Sequence, residues 1–224
     1  MKTDFRHRGW YSRGYIPHYD GGDMYQVITY RLADSLPAAK LEEIMKDLHQ
    51  KAPKNIMAER RKRIEKWLDA GYGSCLLQYP DCAHTIIKAW QHFDGIRYDL
   101  AAWVVMPNHV HVLAFFRKGW SLGKVVNTWK SYTANQIKKK IPEKVGNNGI
   151  WQRGYWDRYI RSETHFYNTI GYILHNPIEA GLVKKARDWP FSGIKKGPQG
   201  RRPQWRPPEK PVKAKPDNIK MHVK

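Results

Sequence analysis

The sequence predicts an α+β fold, an antiparallel sheet with helices laid on one face in the ferredoxin-like manner. Two apolar runs, 97–105 and 109–116, flank the turn-forming tripeptide "MPN" and read as a hairpin inside a sheet. Helix-period stretches stand on both sides of that hairpin. The order strand, helices, hairpin, helix, short strand, helix suits helices layered on a sheet, and no fixed-period repeat competes with it.

Residues 1–22 are polar, basic and aromatic, and read as an arm across the surface that closes at "GG". In "DMYQVITYRLA" (23–33), Tyr25, Val27, Thr29 and Arg31 alternate with Met24, Ile28, Tyr30 and Leu32, the pattern of a buried strand. A helix starts after Ser35 with Pro37 in its first turn, and Leu41, Ile44, Met45 and Leu48 mark its inner face. A charged helix at about 55–70 follows and ends at "AGYG"; its run "ERRKRIEK" reads as a solvated face, with contact to phosphates as the alternative. "CAHTIIKAWQHF" is a third helix. After the hairpin comes a long basic helix, "SLGKVVNTWKSYTANQIKKK", with Leu122, Val125, Val126, Trp129, Tyr132 and Ile137 expected inward. A Gly/Asn loop leads to a short strand around 157–161. "SETHFYNTIGYILHN" is the last helix, capped by Ser162 or Thr164 and expected to stop at Pro177. Three regions result: the arm 1–22, a domain 23–192, and a tail 193–224 rich in Pro, Lys and Arg. That tail is expected to be disordered and to track phosphates.

Composition narrows the function. Forty Lys+Arg against twenty Asp+Glu give a formal charge of +20, which favours polyanions through counterion release. Ten Trp and thirteen Tyr are interleaved with those cations, and flat aromatic faces beside positive charge suit stacked single-stranded bases. No stretch approaches the roughly 18 apolar residues of a membrane span. No apolar secretory segment opens the chain, and Cys75 and Cys82 read as reduced thiols. A cytoplasmic nucleic-acid protein is expected.

His109 and His111 interrupt a run that otherwise reads as core strand. Residues i and i+2 of a strand share a face, so both imidazoles point together and are able to bind one divalent ion. Spacing alone leaves a second reading, two satisfied histidines. On the helix 163–176, Phe166, Ile170, Ile173, Leu174 and Pro177 form an apolar stripe, with His165, Thr169, Tyr172 and Asn176 along its edge. Were this helix to cross the histidine strand, the Asn176 oxygen would complete the coordination and Tyr172 would lie beside the ion. Tyr167 falls on the opposite flank. A boundary tyrosine and a helix-terminal asparagine remain equally valid readings of spacing.

The segments "WVVMPNHVHVL", "IWQRGYWDRYIRSE", "GYILHNPIEAGLV" and "DWPFS", and the opening "WYSRGYIPHYDGGDMYQVITYRLADSLP", follow one another as in a known family. Over roughly 9–192 the chain resembles the REP-associated tyrosine transposases, single-tyrosine HUH nucleases. The resemblance implies an HUH nuclease fold of ferredoxin-like type, cytoplasmic and nucleoid-associated in bacteria. It implies an enzyme that cleaves and rejoins single-stranded DNA at palindromic hairpins through a 5′-phosphotyrosine, acting as a monomer rather than a dimer. By motif, His109 and His111 become ligands of Mg²⁺ or Mn²⁺, Asn176 a further ligand, and Tyr172 the nucleophile. His165, on the same helix edge, is the candidate acid/base. Arg6, Arg8, Trp10, Arg13, Lys124, Lys130, Lys138, Arg153, Arg158 and Arg161 are candidate DNA contacts. The charged helix near 55–70 and the tail depart from shorter members. Two other classes compete: a non-catalytic binder of palindromic DNA or RNA, which has no need of the four-residue set, and a metal-free two-histidine phosphoesterase.

Overall fold

The computed structural model describes residues 7–12, 17–146, 149–197, 200–208 and 212. Strands β1 (Gly9–Ser12) and β2 (Pro17–Asp20) pair as a separate hairpin. The main sheet comprises β3 (Met24–Arg31), β4 (Tyr98–Val105), β5 (His109–Phe116), β6 (Trp156–Tyr159) and β7 (Ser192–Ile194). Its order is β6-β3-β5-β4-β7, with every neighbouring pair antiparallel. The helices are α1 (Ala38–Lys51), α2 (Ile56–Asp69), α3 (Pro80–His92), α4 (Leu122–Lys140) and α5 (Glu163–Glu179). The expected α+β antiparallel architecture is present, and β7 adds an edge strand across the 192/193 boundary.

Strand alternation sorts β5 into two faces. Val110, Val112, Ala114 and Phe116 pack with Ile86 and Trp90 of α3 and with Val125, Val126 and Trp129 of α4. An aromatic hydrogen-bond chain crosses this core: Trp129 Nε1 donates to Tyr98 OH (2.8 Å), Tyr98 OH to the Trp90 carbonyl (2.7 Å), and Trp90 Nε1 to Tyr30 OH (3.1 Å). Leu113 lies on the opposite face with Tyr25, Val27, Val104 and Ile160, under Phe166, Ile170 and Ile173 of α5. Helices therefore cover both faces. The one-face expectation holds for α3 and α4, while the second apolar side of β3 and β4 needs its own cover.

Other differences have equally local causes. Tyr132 is 50% exposed rather than inward. The buried stripe of α4 steps by four from Trp129 to Thr133 to Ile137, which turns the adjacent Tyr132 about 100° away. Pro177 does not stop α5 but sits inside it, and the turn closes through Ala180 N donating to the Asn176 carbonyl (3.0 Å). The arm docks as a hairpin because buried Asp157 of β6 bonds His18 and accepts from Tyr19 N (3.1 Å). Around Trp205, the segment expected as disordered tail packs instead. The Trp205 ring lies 5.8 Å from Tyr25 and 5.9 Å from Phe166, and Arg206 pairs with Asp99 at 2.8 Å.

Helices α1 and α2 form a hairpin with a small core of Leu36, Ile44 and Leu48 against Ile64 and Trp67. The end of α2 is tied to the loop after β3. Trp67 Nε1 donates to the Ser35 carbonyl (3.1 Å), and Ser74 N to Asp34 Oδ2 (2.7 Å). Gly73 (φ +93°) comes so close to the Asp34 carbonyl that a Cβ there would sit 2.9 Å from it.

Candidate active site

His109 and His111 are each 1% exposed and face α5 from the strand. Their tautomers follow from their neighbours. The Asn108 amide nitrogen donates to the Leu68 (3.0 Å) and Tyr72 (2.9 Å) carbonyls, so its oxygen must face His109 Nδ1 at 2.7 Å and accept. His109 Nε2 is left with a bare lone pair. Thr29, directly opposite His111 on β3, brings its hydroxyl 2.7 Å from His111 Nδ1; when that oxygen accepts, His111 Nε2 is bare in the same way. Burial keeps both rings neutral, lowering His109 to about 3 and His111 well below the ordinary histidine range.

Helix α5 completes the arrangement. Ser162 caps it by accepting from His165 N (3.2 Å), and its apolar stripe seats it on the sheet. Tyr172 OH then lies 3.4 Å from His111 Nε2, with the rings 5.2 Å apart and edge-on. One turn further, Asn176 is 2% exposed and stands beside both His109 and Tyr172, yet its Oδ1 has no hydrogen-bond partner. A buried amide oxygen facing two imidazole lone pairs suits a small divalent ion. Among the described residues, no three His, Cys, Asp or Glu side chains form a metal cluster. The donor set is two imidazoles and an amide. Burial, and then the Glu65 carboxylate, push the Tyr172 phenol above its ordinary value.

The structure does not bring His165 to this centre. It lies two turns, about 10 Å of helical rise, before Tyr172, and its Nδ1 accepts from Arg161 N at 3.2 Å. Of the DNA candidates, Arg158 projects on the site face, since it pairs with Val27. Arg161 lies 5.2 Å over the Tyr159 ring, near the start of α5. Arg153 is exposed. Lys124 and Lys138 are exposed on α4, which packs on the sheet face opposite the site. Lys130, also on α4, spends its ammonium on the Gln152 and Gly154 carbonyls; burial and the neighbouring Arg31 lower it to about 8. Trp10 packs on Tyr19 and Tyr159, and Arg8 lies 5.8 Å over Tyr11. Arg6 and Arg13 lie outside the described residues.

Three contributors escaped the sequence reading. Asn108 read as turn chemistry, and Thr29 as one face of a strand. The helix α2 read as a solvated face, yet Arg61 sits 4.0 Å over Trp156 beside the site. A cleft of about 450 Å³ opens there, lined by Glu65 and Asp69 of α2 and by Tyr172 and Glu179 of α5. The signal for Asn108 was its place directly before the histidine pair; α2 carried none.

Known proteins resemble this chain in part. The family described as "Transposase IS200 like" matches residues 77–176, from before α3 to Asn176. That stretch takes in the histidine strand and most of α5. Among individual proteins the similarity is to REP-associated tyrosine transposases. The REP-associated tyrosine transposase of Escherichia coli (strain K12) is 33% identical over 115 residues, 51% of this chain and 64% of that protein. A Haemophilus influenzae (strain ATCC 51907 / DSM 11121 / KW20 / Rd) counterpart is 28% identical over 104 residues, 43% of this chain and 59% of that protein. The match therefore spans less than two thirds of either relative. A solved REP-associated tyrosine transposase bound to a REP hairpin aligns over 81% of this chain and 80% of its own, at 24% identity and a TM-score of 0.49.

Proposed function

We propose that the protein is a metal-dependent single-strand DNA endonuclease and strand transferase that acts on palindromic REP-type hairpins through Tyr172. One observation carries the reading: the Tyr172 hydroxyl lies 3.4 Å from His111 Nε2, and buried Asn176, whose Oδ1 is unpartnered, stands beside both His109 and Tyr172. His109, His111 and Asn176 would hold Mg²⁺ or Mn²⁺. When bound, the ion supplies positive charge that offsets the phosphate anion and draws the phenol toward its ionised form.

The chain's own residues do the rest. Asn108 and Thr29 lock the two rings with their Nε2 atoms inward. The seated α5 holds Tyr172 at a fixed height beside them. As the Tyr172 oxygen bonds to phosphorus in line, the phenol proton is released and the P–O3′ bond breaks. The product is a 5′-phosphotyrosine and a 3′-oxygen that takes up a proton. The ester keeps the bond energy, so a 3′-hydroxyl is able to attack it and rejoin strands. Arg61, Arg158 and Arg161 on this face suit the flanking phosphates.

The test is a denaturing-gel assay with a labelled single-stranded palindrome from the host genome, in Mn²⁺ and in EDTA. The expected result is a covalent adduct that needs metal and disappears in Tyr172→Phe. Tight, salt-sensitive binding with no adduct under any metal would assign the protein as a non-catalytic DNA binder instead.

A further inference from the structure

Asp69, the last residue of α2, borders the same centre, and as its side chain stands it does not yet close a three-residue His/Asp cluster with the pair. Its Oδ1 stands 3.7 Å from His109 Nε2, and no hydrogen-bond donor holds the carboxylate. His109 Nε2 bears no proton, because Nδ1 donates to Asn108. Two acceptor atoms therefore face each other at the edge of a cleft, an arrangement that a cation or a shared proton between them relieves. Asn176, whose Oδ1 has no hydrogen-bond partner, stands beside the same histidine.

Asp69 is also held in place. The carbonyl of its neighbour Leu68, itself buried, accepts from the Asn108 amide, the group that orients His109. One asparagine thus fixes the backbone of α2's end and the tautomer of the facing histidine together. Trp67, the Asp34–Ser74 contact and Gly73 anchor the same end from the other side. Such anchoring is more than a solvated helix end needs. The carboxylate's backbone is set, and a turn of its side chain closes the remaining gap, since two bonds of about 2.1 Å meeting at one ion span it. Residues 77–176 carry the family match, so α2 and Asp69 lie outside it.

We infer that Asp69 is an additional carboxylate ligand of the divalent ion, supplied by α2 to the histidine pair. This rests on the metal-dependent reading above. A carboxylate adds negative charge to a set that is otherwise neutral, and so strengthens binding of a hard cation.

The experiment is calorimetric titration of Mn²⁺ into the full-length, metal-stripped protein without DNA, for wild type, Asp69→Asn and His109→Asn. Asp69→Asn should weaken Mn²⁺ binding by at least about ten-fold, the loss that even supporting partners of a metal site cause. Its thermal midpoint should match wild type, because the side chain makes no fold-holding bond. His109→Asn should abolish binding. Wild-type binding that is equally tight in Asp69→Asn overturns the Asp69 assignment and leaves the nuclease reading intact. Absence of binding in wild type itself overturns both.

Discussion

At the scale of single residues, the burial of His109 and His111 has a thermodynamic consequence besides its chemical one. Both rings are neutral when folded, with His109 lowered to about 3 and His111 well below the ordinary range by desolvation. The unfolded chain takes up a proton at each as pH drops below about 6.5, so it binds more protons than the native state in that window. Stability is therefore complete above pH 6.5 and is lost as pH falls from there toward 3. At pH 5 His109 costs about 2 kcal/mol, and His111 acts in the same direction. Urea unfolding of the metal-stripped protein should show that slope, and it should flatten in the double variant His109→Asn, His111→Asn. An equal slope in the variant would mean that the rings are hydrated and chargeable in the native state. Tyr172 follows the opposite logic. Its raised phenol pKa keeps it protonated near neutrality, so adduct formation should quicken as pH rises from 7 to 9.

At the scale of elements, two polar anchors decide where helices and hairpins come to rest. Asp157 joins β6 to the β1–β2 hairpin through His18 and the Tyr19 amide, and accepts from Gln26 of β3. Asp157→Ala strands those donors in a buried place and should cost about 3–5 kcal/mol in a chemical unfolding curve. Limited proteolysis should then cut the released hairpin first. Asn108 does the same for α2. Asn108→Ala removes one bond to α2's last turn and one to the loop after it, and leaves the Leu68 carbonyl unpaired, a loss of about 2–3 kcal/mol. It should also weaken Mn²⁺ binding, because nothing then orients His109. Full retention of both stability and Mn²⁺ affinity in Asn108→Ala would show that α2 is positioned by its own small core alone.

At the scale of the whole molecule, the +20 charge is divided between two faces of unequal use. Arg61 and Arg158 stand on the side of Tyr172, whereas Lys124 and Lys138 ride on α4 behind the sheet. Removing Arg158 and Arg161 together should lower the salt slope of hairpin binding by about 1.4 to 2, the share of two phosphate contacts. The pair Lys124→Ala, Lys138→Ala should leave cleavage almost unchanged. Anisotropy titrations from 50 to 200 mM salt, at about the range where such contacts tell, separate the two cases. Among the described residues, no helix is long and apolar enough to cross a membrane.

The local parts of this protein were legible in the chain itself. Alternation by two marks β4 and β5 to within a residue and turns His109 and His111 to one face. The 3.6-residue period puts Tyr172 and Asn176 one turn apart beside an apolar stripe. These are short-range consequences of backbone geometry, and neighbours in sequence suffice to state them. Only the tertiary structure decided which face of the sheet each helix takes, because α4 and α5 present similar apolar stripes and either sheet face is greasy enough to receive them. It alone brought Leu68, Asp69 and Tyr72 of the α2 region to Asn108 and His109, some forty positions away. It also set His165 two turns before Tyr172 and turned the Lys130 ammonium to the Gln152 and Gly154 carbonyls. Contacts across such separations depend on how whole elements pack, and no periodicity records that.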